Sequence, residues 1–172
     1  MVEVQLVDTQ DNPNGSMEKL EAHEKGLLHR ALSVLIINTK KEILLQRRAL
    51  GKYHSPGLWT NTCCSHPYPG ENPTEAANRR LKEEMGMVAD LEFAFKFQYK
   101  CDFDNGLIEH ELDHVFMGKT DDIPHLNTDE AMAFKWMSIE ELETDMKNNA
   151  DNYTFWFKWM IEKHRNEFNS YL

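Results

Sequence analysis

The feature that most constrains the fold is a long stretch of period-two alternation that ends in a tight turn. Every second residue from 93 to 103 is apolar, and most residues between them are charged or carry an amide. Such alternation is typical of a strand with one buried face. Asp104-Asn105-Gly106 is a strong hairpin signal, and a second strand is predicted over 107–117. The sequence therefore predicts a long antiparallel hairpin whose aromatic side chains, Phe93 included, share one face.

Strands and helices follow one another irregularly along the rest of the chain. Further strands are predicted over residues 2–8, 30–38, 42–47 and 131–137. A loop over 8–15 and short helix over 16–24 follow the first strand, and longer helices are predicted over 73–85, from Ser138 onward and over 152–168. The 172 residues suit one domain. This order favours a single mixed α/β (α+β) domain and not a regular βαβ array.

Net charge narrows the classes of partner. The chain has 19 Lys and Arg against 29 Asp and Glu, which gives a formal net charge of −10 at pH 7. Such a field repels nucleic acids and anionic membrane surfaces, so we predict neither as a partner. A small anionic ligand remains compatible with this charge, because a local basic cluster or a metal ion can hold it.

Cysteine usage and the start of the chain bear on the compartment. The three cysteines form no disulfide framework, and free thiols are typical of a reducing environment. They are Cys63, Cys64 and Cys101. No basic segment followed by an apolar one opens the chain, and no stretch reaches the ~18 apolar residues of a membrane span. The sequence therefore predicts a cytoplasmic protein.

A long loop over 49–72 leads into a helix with clear end signals. Asn72 is a candidate N-cap, Pro73 suits the first helical position, and Glu75 can complete a capping box. Gly86 is placed to end the helix. Loops as long as 49–72 are uncommon unless they carry function, so this region is the first candidate for a site.

The same helix carries a specific pattern of charged residues. Residues 65–87 resemble the Nudix box, which reads Gly, five residues, Glu, seven residues, Arg-Glu-aliphatic-x-Glu-Glu-x-Gly-aliphatic. The matching positions in this chain are Glu71, Arg79, Leu81, Glu83, Glu84, Gly86 and Met87. Ser65 replaces the first glycine, and Arg80 replaces the second glutamate. Without this register, the helix would read as a surface helix with ordinary i, i+4 ion pairs.

A second, narrower resemblance precedes the box. The segment from Trp59 to Pro67 reads WTNTCCSHP and is similar to the active-thiol segment of type 1 isopentenyl-diphosphate isomerases, which are Nudix-fold enzymes. The resemblance extends over roughly residues 2–165. It implies one Nudix-type domain over 1–172, in which mixed β-sheets are sandwiched between helices. It also implies that the enzyme interconverts isopentenyl and dimethylallyl diphosphate in isoprenoid biosynthesis.

The resemblance assigns the proton carriers. Cys64 matches the family's thiol, Tyr99 its tyrosine, and Glu111 its catalytic glutamate. Moving a double bond in an unactivated alkene requires one proton added and another removed, so a thiol and a carboxyl with tuned pKa values suit the task. Sequence reasoning leaves open which of Cys64 and Glu111 gives the proton. A lone cysteine is otherwise a small core residue, and Cys63 and Cys101 keep that interpretation.

The resemblance also implies two metal sites and a diphosphate subsite. A set of three imidazoles and two carboxylates, suited to Mn²⁺, Zn²⁺ or Mg²⁺, consists of His23, His29, His66, Glu109 and Glu111. Glu84 would bridge a Mg²⁺ ion to the substrate diphosphate. The basic residues expected to hold the diphosphate are Lys19, Arg48, Lys52 and Arg80. The other five histidines receive no role.

Two observations follow from spacing alone. Glu109 and Glu111 lie two apart on a predicted strand, so their side chains point the same way; a solvated strand edge is the ordinary alternative. His23 and His29 lie six apart, which would separate them on one continuous helix. We therefore expect a break near Gly26.

Two other functions remain open from the sequence. A Nudix hydrolase of a nucleoside or isoprenoid diphosphate would use the box glutamates but would need no thiol partner for Glu111. A catalytically silent domain that binds a metal or a partner would turn over no diphosphate. The prediction favoured by the most motifs is an isomerase acting on a small isoprenoid diphosphate.

Overall fold

The computed structural model describes residues 2–172, which form nine strands, four α-helices and two short 3₁₀ helices. The strands are β1 (Glu3–Val7), β2 (Pro13–Glu18), β3 (His29–Ile37), β4 (Glu42–Arg48), β5 (Trp59–Thr60), β6 (Cys63–Ser65), β7 (Glu92–Asp102), β8 (Ile108–Lys119) and β9 (Ala131–Ser138). The α-helices are α1 (Lys19–Lys25), α2 (Pro73–Met85), α3 (Ile139–Asn148) and α4 (Phe155–Lys163).

Strand β3 is the centre of a curled mixed sheet. One of its edges pairs in parallel with β8 along its whole length, from His29 opposite Glu111 to Ile37 opposite Lys119. The other edge is shared by β1, β6 and β4, each antiparallel to it. Strand β7 pairs with the outer edge of β8, and β9 pairs with β4. The predicted hairpin and the mixed α+β class are confirmed.

Helices cover both faces of the sheet because β3 is apolar on both of its faces. Its even-numbered residues Leu32, Val34 and Ile36 join a core with Leu81 of α2. Leu35 and Ile37, on its other face, join a second core with α3 and α4, made largely of the aromatic and aliphatic side chains that follow residue 138. The functional side chains described below continue this second face toward one end of β3.

The ends of α2 match the sequence signals in part. The Asn72 side chain accepts a hydrogen bond from the Thr74 amide, and Gly86 ends the helix in the left-handed region with a φ of +63°. The capping-box contact expected from Glu75 is not formed. A complete capping box is formed at α3, between Ser138 and Glu141.

The prediction was wrong over residues 13–18, which form β2 where a loop and the start of a helix were expected, whereas the loop over 8–12 and the helix over 19–24 are confirmed. Ser16 was expected to open a helix, but it lies in β2 opposite Gln5 of β1. Helix α1 begins only at Lys19, where the Glu18 side chain accepts a hydrogen bond from the Glu21 amide. Pairing with β1 outweighs the local turn signal, because the backbone groups on one edge of that stretch gain ladder partners.

Two further boundaries differ from the prediction. Phe93 was expected on the aromatic face of β7, but a bulge between Phe93 and Phe95 leaves its ring 52% exposed. The helix expected over 152–168 is divided into α4 and two 3₁₀ turns. The loop over 49–72 contains the two short strands β5 and β6. Among residues 2–172, no helix combines the length and apolar character needed to cross a bilayer.

Candidate active site

The site lies where β3 and β8 begin, on the face that also carries the core of α4. His29 is the first residue of β3 and pairs with Glu111, which also pairs with Tyr99 of β7 on its other side. Because neighbours across a ladder point the same way, these three side chains converge. The register, which joins residues about 80 positions apart, therefore places Glu111 at the centre of the site.

Three imidazoles face one carboxylate oxygen. Oε1 of Glu111 lies 2.9 Å from Nε2 of His66, 3.4 Å from Nε2 of His29 and 3.7 Å from Nε2 of His23. The rings of His23 and His29 are fully buried. The break predicted between them is confirmed, since α1 ends at Gly26 with φ +61°, a conformation that favours glycine.

The chemistry of this cluster fits a divalent cation. Nδ1 of His23 donates to the Lys19 carbonyl at 2.6 Å, and Nδ1 of His29 donates to the Leu27 carbonyl at 2.8 Å. The other ring nitrogen of each residue, Nε2, faces Glu111 and has no hydrogen-bond partner. Backbone carbonyls that orient imidazoles in this way are typical of metal ligands. His23, His29, His66 and Glu111 can therefore hold one ion together.

Glu109, the fifth predicted ligand, has different neighbours. Its Oε1 lies 3.2 Å from Nε2 of His54, and its Oε2 lies 3.1 Å from the Tyr99 hydroxyl. It forms a second group of candidate ligands with His23 and His54. The structure thus places Glu109 beside the four-residue cluster, and His23 belongs to both groups.

Tyr99 links the two carboxylates. Its hydroxyl lies 2.6 Å from Oε2 of Glu111 as well as close to Glu109. Burial and the two carboxylates raise the pKa of Tyr99. The phenol therefore stays protonated and donates hydrogen bonds to the carboxylates. Burial and the nearby Glu111 raise the pKa of Glu109, whereas the facing imidazoles bring the pKa of Glu111 well below its usual range although burial opposes this.

Cys64 lies in β6 opposite Ser33 and lines the same cavity as Glu111 and Tyr99. Burial raises the pKa of the Cys64 thiol to about 12, with the Arg48 guanidinium acting in the opposite direction. The Sγ atom lies 3.6 Å from Nη1 of Arg48. The thiol is therefore protonated at neutral pH. Its neighbour Cys63 points to the opposite face and is fully buried in the core beneath α2.

The four basic residues predicted for the diphosphate all line this cavity. They come from four different elements and are Lys19, Arg48, Lys52 and Arg80. Arg48 is fixed by the Ser55 and His54 carbonyls and lies over the ring of Trp156, 5.2 Å from its centroid. The structure thus brings a local positive cluster together in a chain of net charge −10.

Arg80 and Glu84 form part of a charged network at one side of the cavity. Nη2 of Arg80 donates to Oε1 of Glu84 at 2.6 Å and to Oε1 of Glu130 at 3.0 Å. Oε2 of Glu84 accepts from Gln46 at 2.9 Å, and Lys52 pairs with Glu130. Arg80, in the position of the second box glutamate, is therefore held by carboxylates of α2 and of the loop before β9.

The remaining box residues have a structural role. Nε and Nη2 of Arg79, which form one edge of its guanidinium, donate to the two oxygens of Glu71 at 2.8 Å each, and the guanidinium lies 4.2 Å from the Tyr68 ring centroid. Glu71 also accepts from the Tyr68 amide at 2.8 Å. This bidentate pair closes the loop onto the helix that follows it.

Sequence reasoning missed three residues around the site. Asp113 is buried, lines the cavity and accepts a hydrogen bond from Ser33 at 2.7 Å; period two from Glu111 would have found it. His54 and Glu130 carry no local signal, because loops bring them to Glu109 and Arg80. Among the tryptophans, Trp156 lines the cavity, whereas the ring of Trp59 lies under the Lys135 ammonium.

Comparison with known proteins identifies the class. The NUDIX domain family matches residues 27–157. A solved protein of Deinococcus radiodurans, DR0079, superposes with a TM-score of 0.71 at 18% identity over 86% of this chain and 90% of its own. A MutT protein of Methanosarcina mazei gives 0.67 at 21% identity, over 83% and 96%. Such low identities speak for the fold alone; the chain belongs to the Nudix family.

Closer relatives narrow the class. An isopentenyl-diphosphate Delta-isomerase of Pectobacterium atrosepticum is 52% identical over 92% of this chain and 88% of its own length. Isopentenyl-diphosphate Delta-isomerase 2 of Aromatoleum aromaticum is 49% identical, over 94% and 85%. Within the Nudix family, the chain is therefore a member of the isopentenyl-diphosphate Delta-isomerases.

Proposed function

We propose that this chain interconverts isopentenyl diphosphate and dimethylallyl diphosphate, with Cys64 and Glu111 as its proton carriers and Tyr99 assisting Glu111. The observation that carries the proposal is the presence of the partly buried Cys64 thiol and the buried Glu111 carboxylate in one cavity rimmed by four basic side chains. A small isoprenoid diphosphate matches this cavity at both ends. Its apolar tail would lie beside the two proton carriers, and its anionic diphosphate would contact the four basic side chains.

The reaction needs two proton transfers at different carbons. Protonation of the terminal methylene carbon breaks the double bond and leaves a tertiary carbocation; loss of a proton from C2 forms the new double bond. A protonated thiol and an ionised carboxylate form a complementary pair for these steps. In the reverse reaction the acid of the forward direction acts as the base and the base acts as the acid, as microscopic reversibility requires. The ring of Trp156 supplies a π-face at the cavity wall for the cationic state.

The metal set proposed for the proton-transfer end is His23, His29, His66, Glu109 and Glu111, with Mn²⁺, Zn²⁺ or Mg²⁺ as the ion. A divalent cation there supplies positive charge that keeps the carboxylates ionised and fixed in place. The chain's own residues orient the ligands: backbone carbonyls turn His23 and His29, and Tyr99 holds Glu111.

At the other end, the proposal assigns diphosphate binding to Lys19, Arg48, Lys52 and Arg80. Arg48 is presented by its bonds to loop carbonyls, which leaves its Nη1 edge on the cavity side near Cys64. A Mg²⁺ ion at Glu84 would bridge to the diphosphate, because hard cations prefer carboxylate and phosphate oxygens. Three free cysteines support a reducing compartment, and we place the enzyme in the cytoplasm.

One comparison of substrates separates isomerase from hydrolase and from a silent domain. The protein is incubated with Mg²⁺ and either isopentenyl diphosphate or a set of nucleoside diphosphate sugars, and the products are followed. We expect dimethylallyl diphosphate from the first and no hydrolysis of the second. Release of phosphate or a nucleotide, with no isomer formed, would replace the proposal by a hydrolase. No turnover of either substrate would leave a binding domain.

A charged inhibitor tests the carbocation directly. An ammonium analogue of the isoprenoid tail, still bearing its diphosphate, resembles the cationic intermediate in charge and shape. Sites complementary to a transition state bind such mimics ~10²–10⁸-fold more tightly than substrate. We expect tight inhibition by the ammonium diphosphate and weak inhibition by its neutral isostere. Equally weak inhibition by both would argue against a carbocation, because a hydrolase develops its charge at phosphorus.

A further inference from the structure

The side chain of Asn61 joins two parts of the candidate active site that come from distant stretches of the chain. Asn61 lies in the turn between β5 and β6 and is fully buried. The strand that follows carries Cys64, and the Trp156 ring of the cavity wall comes from α4, 95 positions after Asn61. Asn61 is not among the residues that line the cavity, so any effect on the reaction passes through these neighbours.

Both ends of the Asn61 amide are hydrogen-bonded. Nδ2 donates to the Cys63 carbonyl at 2.6 Å and to the Val34 carbonyl at 3.3 Å. Oδ1 accepts from the Thr60 hydroxyl at 2.8 Å and from Nε1 of Trp156 at 3.3 Å. Because carbonyls only accept and the indole nitrogen only donates, the chemistry of the neighbours determines which end of the amide faces which partner.

The Nδ2 end of the amide holds the backbone beside the thiol. The Cys63 carbonyl belongs to the peptide group that joins Cys63 to Cys64. In the ladder between β6 and β3, Val34 lies opposite Cys63 and Ser33 lies opposite Cys64. Asn61 therefore bonds to a carbonyl of each strand at the pair next to the thiol. Strand β6 has only three residues, so these two bonds contribute much of what fixes its position.

The Oδ1 end of the amide holds the aromatic ring. Trp156 lies in the first turn of α4, directly after the helix N-cap, Thr154, and Phe155. The Thr154 hydroxyl donates to the Thr60 hydroxyl at 2.9 Å, which in turn donates to Asn61. Thr60, Asn61 and Thr154 are fully buried, and a buried network with satisfied partners specifies one arrangement. The start of α4 and its indole are thereby fixed to the turn before β6.

We propose that Asn61 is a positioning residue that sets the distance and orientation between the Cys64 thiol and the Trp156 ring. The inference rests on the proposed function, in which the thiol exchanges a proton with the substrate and the ring faces the carbocation. Both proton transfers occur at carbons adjacent to the cationic carbon, so the thiol and the π-face must be aligned with each other. A misplacement of about 1 Å can cost ~10²-fold in rate.

Two substitutions in the same turn separate this role from general loosening of the loop. Asn61→Leu keeps a similar volume and removes all four bonds. Thr62→Val is the matched control, because Thr62 is equally buried but its hydroxyl bonds to the Ile36 amide at 2.9 Å and the Leu44 carbonyl at 2.7 Å. With isopentenyl diphosphate, we expect Asn61→Leu to lower kcat about 10- to 100-fold with KM within about threefold of wild type. We expect Thr62→Val to stay within about threefold in both constants.

Three results would overturn the positioning role. They are an unchanged kcat in Asn61→Leu, a rise in KM without a fall in kcat, and an equal fall in kcat in Thr62→Val. Circular dichroism checks the folding of each variant. If Asn61→Leu does not fold, Asn61→Ser takes its place, because a single hydroxyl cannot replace an acceptor of two bonds and a donor of two others.

The indole N–H resonances provide a readout that does not depend on turnover. The four tryptophans give four indole signals in a ¹H–¹⁵N NMR spectrum, and Trp156→Phe identifies the signal of Trp156. We expect this signal to move upfield in Asn61→Leu, because the N–H loses its acceptor, and to stay in place in Thr62→Val. An unchanged signal in Asn61→Leu would refute the role of Asn61 in holding the ring.

Failure of the proposed function is distinguishable from failure of this inference. A wild-type protein that forms no dimethylallyl diphosphate would reject the proposed function and, with it, the part of Asn61 in the reaction. An active wild type with an equally active Asn61→Leu variant would reject the positioning role alone.

Discussion

The hydroxyl of Tyr99 lies 2.6 Å from Oε2 of Glu111, across the β7–β8 ladder. Both side chains are at least nine-tenths buried, so this bond is formed without competition from bulk water. On the other side of the same carboxylate, Oε1 faces three imidazoles. Glu111 thus directs Oε2 to the Tyr99 hydroxyl and Oε1 to the imidazoles of the candidate metal cluster.

Tyr99→Phe should lower kcat about 10- to 100-fold with little change in KM. The phenol holds Glu111 without belonging to the basic rim, and removal of such a partner typically costs that much. Steady-state kinetics with isopentenyl diphosphate measure the split. Tyr153→Phe is the matched control, because its hydroxyl bonds to Asp145 outside the cavity. A rise in KM with unchanged kcat would place Tyr99 in substrate binding instead.

Cys64→Ala should reduce isomerisation about 10²–10⁴-fold, as expected for loss of a proton carrier. Cys63→Ala and Cys101→Ala should keep most of the activity, because Cys63 lies in the core beneath α2 and Cys101 is partly buried against the other core. The rate of dimethylallyl diphosphate formation is compared in the three variants. An inactive Cys63 variant with a normal fold would contradict the assignment of the thiol.

Substitutions at the two proposed metal sites should have different effects. His66→Ala or Glu109→Gln should remove a metal that co-purifies with the protein, as measured by elemental analysis, because both remove ligands of the buried cluster. Glu84→Gln should keep that metal but raise the Mg²⁺ concentration needed for half-maximal rate.

Neighbouring residues provide the controls for this comparison. His110 lies between Glu109 and Glu111 but faces the opposite side, where it bonds to the Gly26 carbonyl, so His110→Gln should retain the metal. Glu83→Gln, one residue before Glu84 on α2, should leave the Mg²⁺ requirement unchanged. Loss of the same ion from the Glu84 and His66 variants would mean a single metal site.

Stability should depend on pH through Glu71. The hydrogen bonds from Arg79 are the main cause that lowers the pKa of Glu71 in the folded state, below its ordinary 4.5. Ionised Glu71 therefore stabilises the folded state at pH values above the ordinary pKa of 4.5. This contribution is lost as the pH falls through the lower pKa of the folded state. Glu71→Gln should cost about 1 kcal/mol at pH 7, in line with a partly exposed pair, and progressively less below about pH 5.

Urea unfolding of wild type and Glu71→Gln at pH 7 and at pH 3 measures this difference. Glu75→Gln is the control, since Glu75 is exposed at the start of the same helix. A cost for Glu71→Gln that is the same at both pH values would show that the charge of Glu71 contributes nothing to the effect.

Sequence signals predicted correctly the elements that are stabilised by residues close in the chain, and those whose hydrophobic pattern extends over many residues. The Asp104-Asn105-Gly106 turn joins β7 to β8, and Asn72 and Gly86 cap α2 as expected. Prediction failed over residues 13–18, where β2 forms only because β1 offers ladder partners. It also failed at Phe93, because a bulge shifts its side chain relative to the following residues.

The sequence by itself determined the class of this protein, because the box and the thiol segment place specific residue types at fixed spacings along one stretch of chain. It also determined that Glu109 and Glu111 face the same way, since a strand repeats every two residues. Only the tertiary structure decided that Glu111 meets three imidazoles while Glu109 meets His54, and that Glu130 holds Lys52 and Arg80. Those contacts join residues 45 or more positions apart, so the register of β3 with β8 and the packing of loops determine them, and neither is encoded in any local pattern.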